Sequence, residues 1–286
     1  MTIRNPVEWS ADSLTDTVTS LRDARRAMRR SAEELDERPI VLKPLGFHDL
    51  GAALREGFDD FANLRTDVLA IGLIYPLAGI VLAQIVLNVS MLPLLFPLVA
   101  GFALLGPFAA LGLYEASRRR ENGEEVRWSN VIDAFASPSA GAIWTLGLIL
   151  TALFLVWLGV AWLIYLMTMG PAVPESAAGF FREALTTDRG WAMILIGCGV
   201  GAGFAVAALA ISVISFPLLL DRKVPIGRAI DASVRLVRDN PLIMLSWGVI
   251  VAGGLALGSL PLLLGLIVVM PVLGHATWRL YRRAVA

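Results

Sequence analysis

Residues 68–114 include no Asp, Glu, Lys or Arg over forty-seven consecutive positions, and further uncharged runs follow at 134–174, 190–220 and 240–278. In lipid no water is available to the backbone, so a chain that crosses it must form helices or a closed barrel. Runs of this length and continuity read as a polytopic, all-α membrane protein. Hydrophobic residues make up 57% of the 286 residues and charged residues only 17%, against about 45–50% and about 25% in ordinary soluble domains. A charge at the centre of a spanning helix costs about 2.5–3.5 kcal/mol, while each Leu, Ile, Val or Phe returns only about 0.3–0.6. One such charge offsets most of a helix, which accounts for the exclusion.

A hydrocarbon core of about 30 Å needs roughly 20 helical residues. The first run therefore holds two spans, with a break around Ser90 to Pro93. The second and third hold one each. The thirty-nine residues of the last run would make a single helix of about 58 Å at about 1.5 Å per residue, so the chain must turn back, and Gly258, Ser259, Leu260 and Pro261 supply the turn. Six spans are predicted, at about 68–89, 93–114, 142–169, 191–220, 241–258 and 260–278. With an internal N-terminus, segments 1–67, 115–140, 221–240 and 279–286 carry 10, 4, 5 and 3 Lys or Arg, leaving only Arg182 and Arg189 outside. This distribution follows the positive-inside rule and places both termini in the cytoplasm. No apolar segment precedes residue 68, so the first span is expected to act as the insertion signal.

The internal segments end in amphipathic stretches at 49–58, 128–135 and 225–234. Each leads into a pair of spans. The fold class expected is six transmembrane helices as three hairpins, each preceded by an amphipathic interfacial helix, an imperfect internal repeat. The second span of each hairpin carries a proline toward its internal end: Pro107, Pro217 and Pro271. Each removes a helical hydrogen bond and frees a carbonyl near Ala103, Val213 or Ile267. These prolines are either hinges around an internal cavity or ordinary packing bends.

Three stretches, LGPFAALGLYEASRR at 105–119, GHATWRLYR at 274–282 and FDDF at 58–61, resemble the predicted integral membrane proteins of bacterial domain-of-unknown-function family 2189. The likeness covers about residues 45–285. It implies a bacterial membrane location and the helical architecture, and it implies no activity. Some relatives carry a cytochrome c oxidase label, and the family pattern has a second histidine where this chain has Arg279.

Buried ionisable groups mark transport and proton relays in membranes, and none falls at a span centre here. Glu115, Asp221, His275 and Arg279 sit instead at the internal ends of the second spans. Asp221 and His275 stand four residues beyond their prolines, and Glu115 and Arg279 eight, which puts all four on one helix face. They form either a polar cluster at the cytoplasmic rim or helix-end ion pairs with Arg118 and Arg222. Only His48 and His275 exist, and the single Cys198 lies within a run, so no metal-ligand spacing is present and no cofactor is expected. No nucleophile elbow, phosphate loop or zinc-protease motif appears either.

Residues 1–44 are read as a separate cytoplasmic, Arg-rich amphipathic segment, and 45–286 as the six-span membrane domain. Leu14, Leu21, Met28 and Leu35 recur at sevens beside Arg22, Arg25, Arg26, Arg29 and Arg30. Anionic lipid or the protein's own body, a partner helix, or disorder each fits that pattern. Lys plus Arg and Asp plus Glu are both 24, which argues against nucleic acid. The expected partners are the lipid bilayer and a membrane-protein partner or homo-oligomer. The expected function is a non-catalytic component of the bacterial inner membrane that binds lipid or protein. A transporter or channel for a neutral or lipidic substrate, and a respiratory oxidase assembly factor, are the alternatives.

Overall fold

Apolar runs of this length become helices because each helix satisfies its own backbone, and a computed structural model shows where they begin and end. The structure describes residues 35–63, 77, 79–81, 84, 89–126, 137, 139–261 and 263–286. The chain divides into two compact units, Met1–Arg38 and Pro39–Ala286. In the first, only 35–38 are described, and there Arg38 pairs with Asp36 at 2.6 Å. The arginine-rich heptads up to residue 34, most of the span expected at 68–89 and the amphipathic stretch at 128–135 lie outside the described residues.

In the second unit α1 is Phe47–Asn63. A 3-10 turn at Val89–Leu94 leads into α2 (Leu95–Phe102), and another at Ala103–Leu105 into α3 (Gly106–Ala109) and α4 (Leu111–Glu121). There follow α5 (Ala140–Thr168), α6 (Ala177–Thr186), α7 (Asp188–Ser212), α8 (Ser215–Asp221), α9 (Ile226–Asp239), α10 (Pro241–Ser259) and α11 (Leu266–Ala284). No strand occurs among the described residues, only an isolated bridge between Leu42 and Val285. Four segments among them are long and apolar enough to cross a membrane: Ser90–Glu121, Ala140–Thr168, Asp188–Asp221 and Pro241–Ser259.

Two of these segments are interrupted close to the predicted prolines. The 3-10 turn at Ala103–Leu105 begins at the carbonyl that Pro107, lacking an N–H, cannot engage. Above Pro217 the helix breaks between α7 and α8, and serines take up the loosened groups. Ser215 Oγ donates to the Ile211 carbonyl at 2.5 Å and is also 3.1 Å from the Ala229 carbonyl, while the Ile214 N–H reaches Ser233 Oγ at 3.4 Å. Pro271, by contrast, lies within an unbroken α11. The last helix also starts at Leu266 and not at residue 260, because the chain is still turning at 260–261 and 263–265, with Leu263 in the left-handed region at φ 66°.

Helices in lipid gain little from hydrophobic exclusion and associate through close packing, which small residues permit. The most extensive pairing joins the two ends of the unit, α1 along α11. The buried face of α1 is Leu50, Ala53, Gly57 and Asp60, the 3-4-3 spacing of an amphipathic helix. Its start is fixed by a reciprocal cap in which the Gly46 N–H donates to Asp49 Oδ2 at 2.9 Å and the Asp49 N–H donates to the Gly46 carbonyl at 3.0 Å. Midway, Gly57 lets the two backbones nearly touch. A Cβ there would lie 2.6 Å from the Ala276 nitrogen. The preceding segment is pinned as well, since the Leu45 N–H donates to Asn240 Oδ1 at 3.0 Å and the Lys43 N–H to the Ala284 carbonyl at 2.8 Å.

Candidate functional site

The register of α1 delivers a carboxylate, Asp60, into the space between α4 and α11. Its side chain is 3% exposed. A buried carboxylate is costly unless every acceptor site is used, and here each oxygen accepts twice. Oδ1 accepts Arg279 Nη2 at 2.8 Å and Arg120 Nη1 at 2.8 Å, and Oδ2 accepts Arg279 Nε at 2.8 Å and Ser117 Oγ at 2.9 Å. Arg279 thus holds Asp60 with a two-pronged fork, the strongest geometry for this pair.

Ser117 Oγ also lies 2.7 Å from His275 Nδ1. An ionised Asp60 paired with two arginines can only accept, so the serine proton goes to the carboxylate. His275 must then donate from Nδ1 to Ser117, and its Nε2 is left as an acceptor. That nitrogen is buried and has no hydrogen-bond partner among the described residues. Asp, Ser and His here differ from a nucleophilic triad, in which histidine stands between the other two and takes the serine proton. In this chain the serine stands in the middle with its proton committed to Asp60, and Ser117 and His275 are both 0% exposed. The arrangement clamps three helices and presents no nucleophile.

A second network lies alongside. Tyr281 donates from its hydroxyl to Asp221 Oδ2 at 2.6 Å, Arg282 reaches Asp221 at 3.4 Å and Glu121 at 2.9 Å, and Trp278 Nε1 donates to Glu121 at 3.1 Å. Burial, reinforced by the Asp221 carboxylate, pushes the Tyr281 phenol above its usual range, so it remains a donor. Tyr281→Phe should lower stability by about 1.5 kcal/mol, the lower end for a hydrogen bond to a charged group, because Asp221 keeps partial exposure and Arg282. The shift in thermal unfolding midpoint in detergent measures it, and an unchanged midpoint would remove this bond from the account.

Of the four rim residues expected from the sequence, His275 and Arg279 meet in one network through Asp60 and Ser117. Asp221 belongs to the second network. Glu115 is buried and held by its own helix, accepting from Arg118 at 2.8 Å and Arg119 at 2.6 Å. Arg118 thus pairs as one of the two sequence readings had it, whereas Arg222 donates to the Ala286 carbonyl at 2.8 Å. Reasoning from the prolines missed Asp60, Ser117, Arg120 and Tyr281. The sequence did hold a signal for Asp60, which continues the buried 3-4-3 spacing of Leu50, Ala53 and Gly57. No group of three or more His, Cys, Asp or Glu among the described residues is placed to hold a metal ion.

The stretch that supplies Glu115, Ser117, Arg120 and Asp221 also carries the similarity to known proteins. Residues 94–221 match the DUF2189 family, described as a predicted integral membrane protein. The DUF2189 match runs from the end of the first 3-10 turn to the last residue of α8 and includes Pro107 and Pro217. Asp60, Pro271, His275 and Arg279 lie outside it, so the match is narrower than the stretch of about 45–285 over which the motifs resemble the family. No curated protein and no solved structure matches the chain.

Proposed function

We propose that this integral membrane protein is a non-catalytic component of the bacterial inner membrane that binds lipid or another membrane protein, a second copy of itself included. The observation that carries the reading is the saturation of the buried acids among the described residues. Asp60 and Glu115 are each occupied by two arginines, so neither is left to couple transport to a proton or cation. The polar clusters hold α1, α4, α8 and α11 together, and the long helices α5, α7 and α10 turn apolar side chains outward, with Leu148, Leu195 and Val249 each more than 60% exposed. Six spans as three hairpins, with both termini and the arginine-rich N-terminal segment in the cytoplasm, complete the proposal. The charge distribution supports that orientation. Native mass spectrometry after purification in mild detergent should recover the chain with lipid or a partner subunit in fixed ratio. A bare monomer would count against the reading.

The helix interruptions near Pro107 and Pro217 favour a second reading, a transporter or channel for a neutral or lipidic substrate that uses these segments as moving parts. Flux into proteoliposomes tests it. Uptake that persists when Pro107, Pro217 and Pro271 are all replaced by Ala would remove the mechanism.

A further inference from the structure

The charged connection between α5 and α7 contains α6, a helix between the spans expected at 142–169 and 191–220. At about 100° per residue its side chains fall into three sectors. Phe180 and Ala184 face the protein and are buried, Phe180 against Tyr165 of α5 with ring centroids 6.4 Å apart. Arg182, Glu183 and Thr186 occupy a polar sector and are exposed. Between these, Phe181 and Leu185 lie one turn apart and are 45% and 57% exposed.

The corner that joins α6 to α7 fixes this orientation. A Cβ on Gly190 would stand 2.3 Å from the Ala184 carbonyl oxygen, so only glycine allows the turn to close this tightly. Thr187 Oγ1 accepts the Gly190 N–H at 3.0 Å, and Trp191 Nε1 donates to the Leu185 carbonyl at 3.1 Å. Trp191 is therefore beside Leu185, and Leu195 follows it on the same face of α7. Phe181, Leu185, Trp191 and Leu195 form one exposed apolar strip that descends from α6 onto the outer surface of a spanning helix. The lipid that covers α7 at Leu195 is continuous with whatever covers Phe181.

We infer that α6 is an interfacial anchor, with Phe181 and Leu185 inserted at the headgroup–acyl boundary of the leaflet where α5 ends and α7 begins. The aromatic and aliphatic sector enters lipid, Trp191 sits at the level favoured by its amphipathic ring, and Arg182 and Glu183 stay in water. The inference rests on α7 crossing the bilayer.

Spin labels on single cysteines test it in the full chain, with the exposed Cys198 replaced by Ala and the protein in vesicles of phosphatidylcholine and phosphatidylglycerol. Labels at 181 and 185 should collide several-fold more with oxygen than with a water-soluble nickel chelate, and labels at 182, 183 and 186 should show the reverse. All five positions are exposed, so the labels displace no core side chain. A label at 195 serves as the membrane reference. Chelate preference at 181 and 185 with oxygen preference at 195 would overturn the anchor alone, and exclusion of both reagents at 181 and 185 would overturn it in favour of a covering protein. Chelate preference at 195 as well would overturn the spanning assignment of α7 and the anchor with it.

Discussion

Replacing Gly57 by Ala is expected to lower the stability of the membrane unit by about 3 kcal/mol, at the upper end of ordinary overpacking penalties. The added Cβ would lie 2.6 Å from the Ala276 nitrogen and 2.7 Å from its Cα and Cβ. These are mostly backbone atoms, which cannot rotate away as the end of a flexible side chain can. The two helices must move apart, and the separation spreads to Asp60, less than one helical turn along α1. On the same helix, Gly51 has nothing within 4 Å of its missing Cβ. Gly51→Ala should therefore raise stability by about 0.5–1 kcal/mol through the helix preference of alanine alone. Thermal unfolding in detergent, followed with protease cleavage between α1 and the first span, reads both variants. Shifts of the same sign and size would show that helix propensity, and not the contact with Ala276, governs this helix.

The second large effect belongs to Asp60. Asp60→Ala removes the anion shared by Arg279, Arg120 and Ser117, and because Arg279 keeps some exposure the loss should be about 3 kcal/mol, the lower end for breaking a buried pair. Arg120→Ala should cost only about 1 kcal/mol, because the Arg120 side chain is 34% exposed and the Arg279 fork remains in place. The ratio between the two variants is the informative quantity. If Arg120→Ala proves as damaging as Asp60→Ala, the fork is not what holds the carboxylate.

The apolar helices were legible because charge exclusion is a local property, visible in any window of about 20 residues. Each of the four long segments is centred on one of the four uncharged runs for that reason. Element ends were less legible. Gly258, Ser259, Leu260 and Pro261 mark a turn in the sequence, but the left-handed Leu263 extends it and delays α11 to Leu266. The short helix α6 was less legible because its apolar side, Phe180, Phe181, Ala184 and Leu185, is confined to ten residues of a charged connection between two much longer apolar runs. Its local signals were present in Ser176, whose Oγ accepts the Gly179 N–H at 3.1 Å, and in Thr187 at the start of α7, both favoured N-cap residues. The polar networks were the least legible part. Counting from the prolines selects residues by position along one helix, whereas Asp60, Ser117 and His275 meet only through the crossing of three helices. A single sequence carries no direct trace of such a meeting.

That crossing also sets an order in time. Asp60 and Arg279 are 219 residues apart, and a ribosome adds about 5–20 residues per second. Asp60 is therefore made on the order of 10–40 s before the arginine that grips both its oxygens exists. Through that interval α1 has no α11 to bury against, and of the groups that finally hold its carboxylate only Ser117 and Arg120 are at hand. The Arg279 fork closes last, so it takes no part in guiding the earlier helices into the membrane.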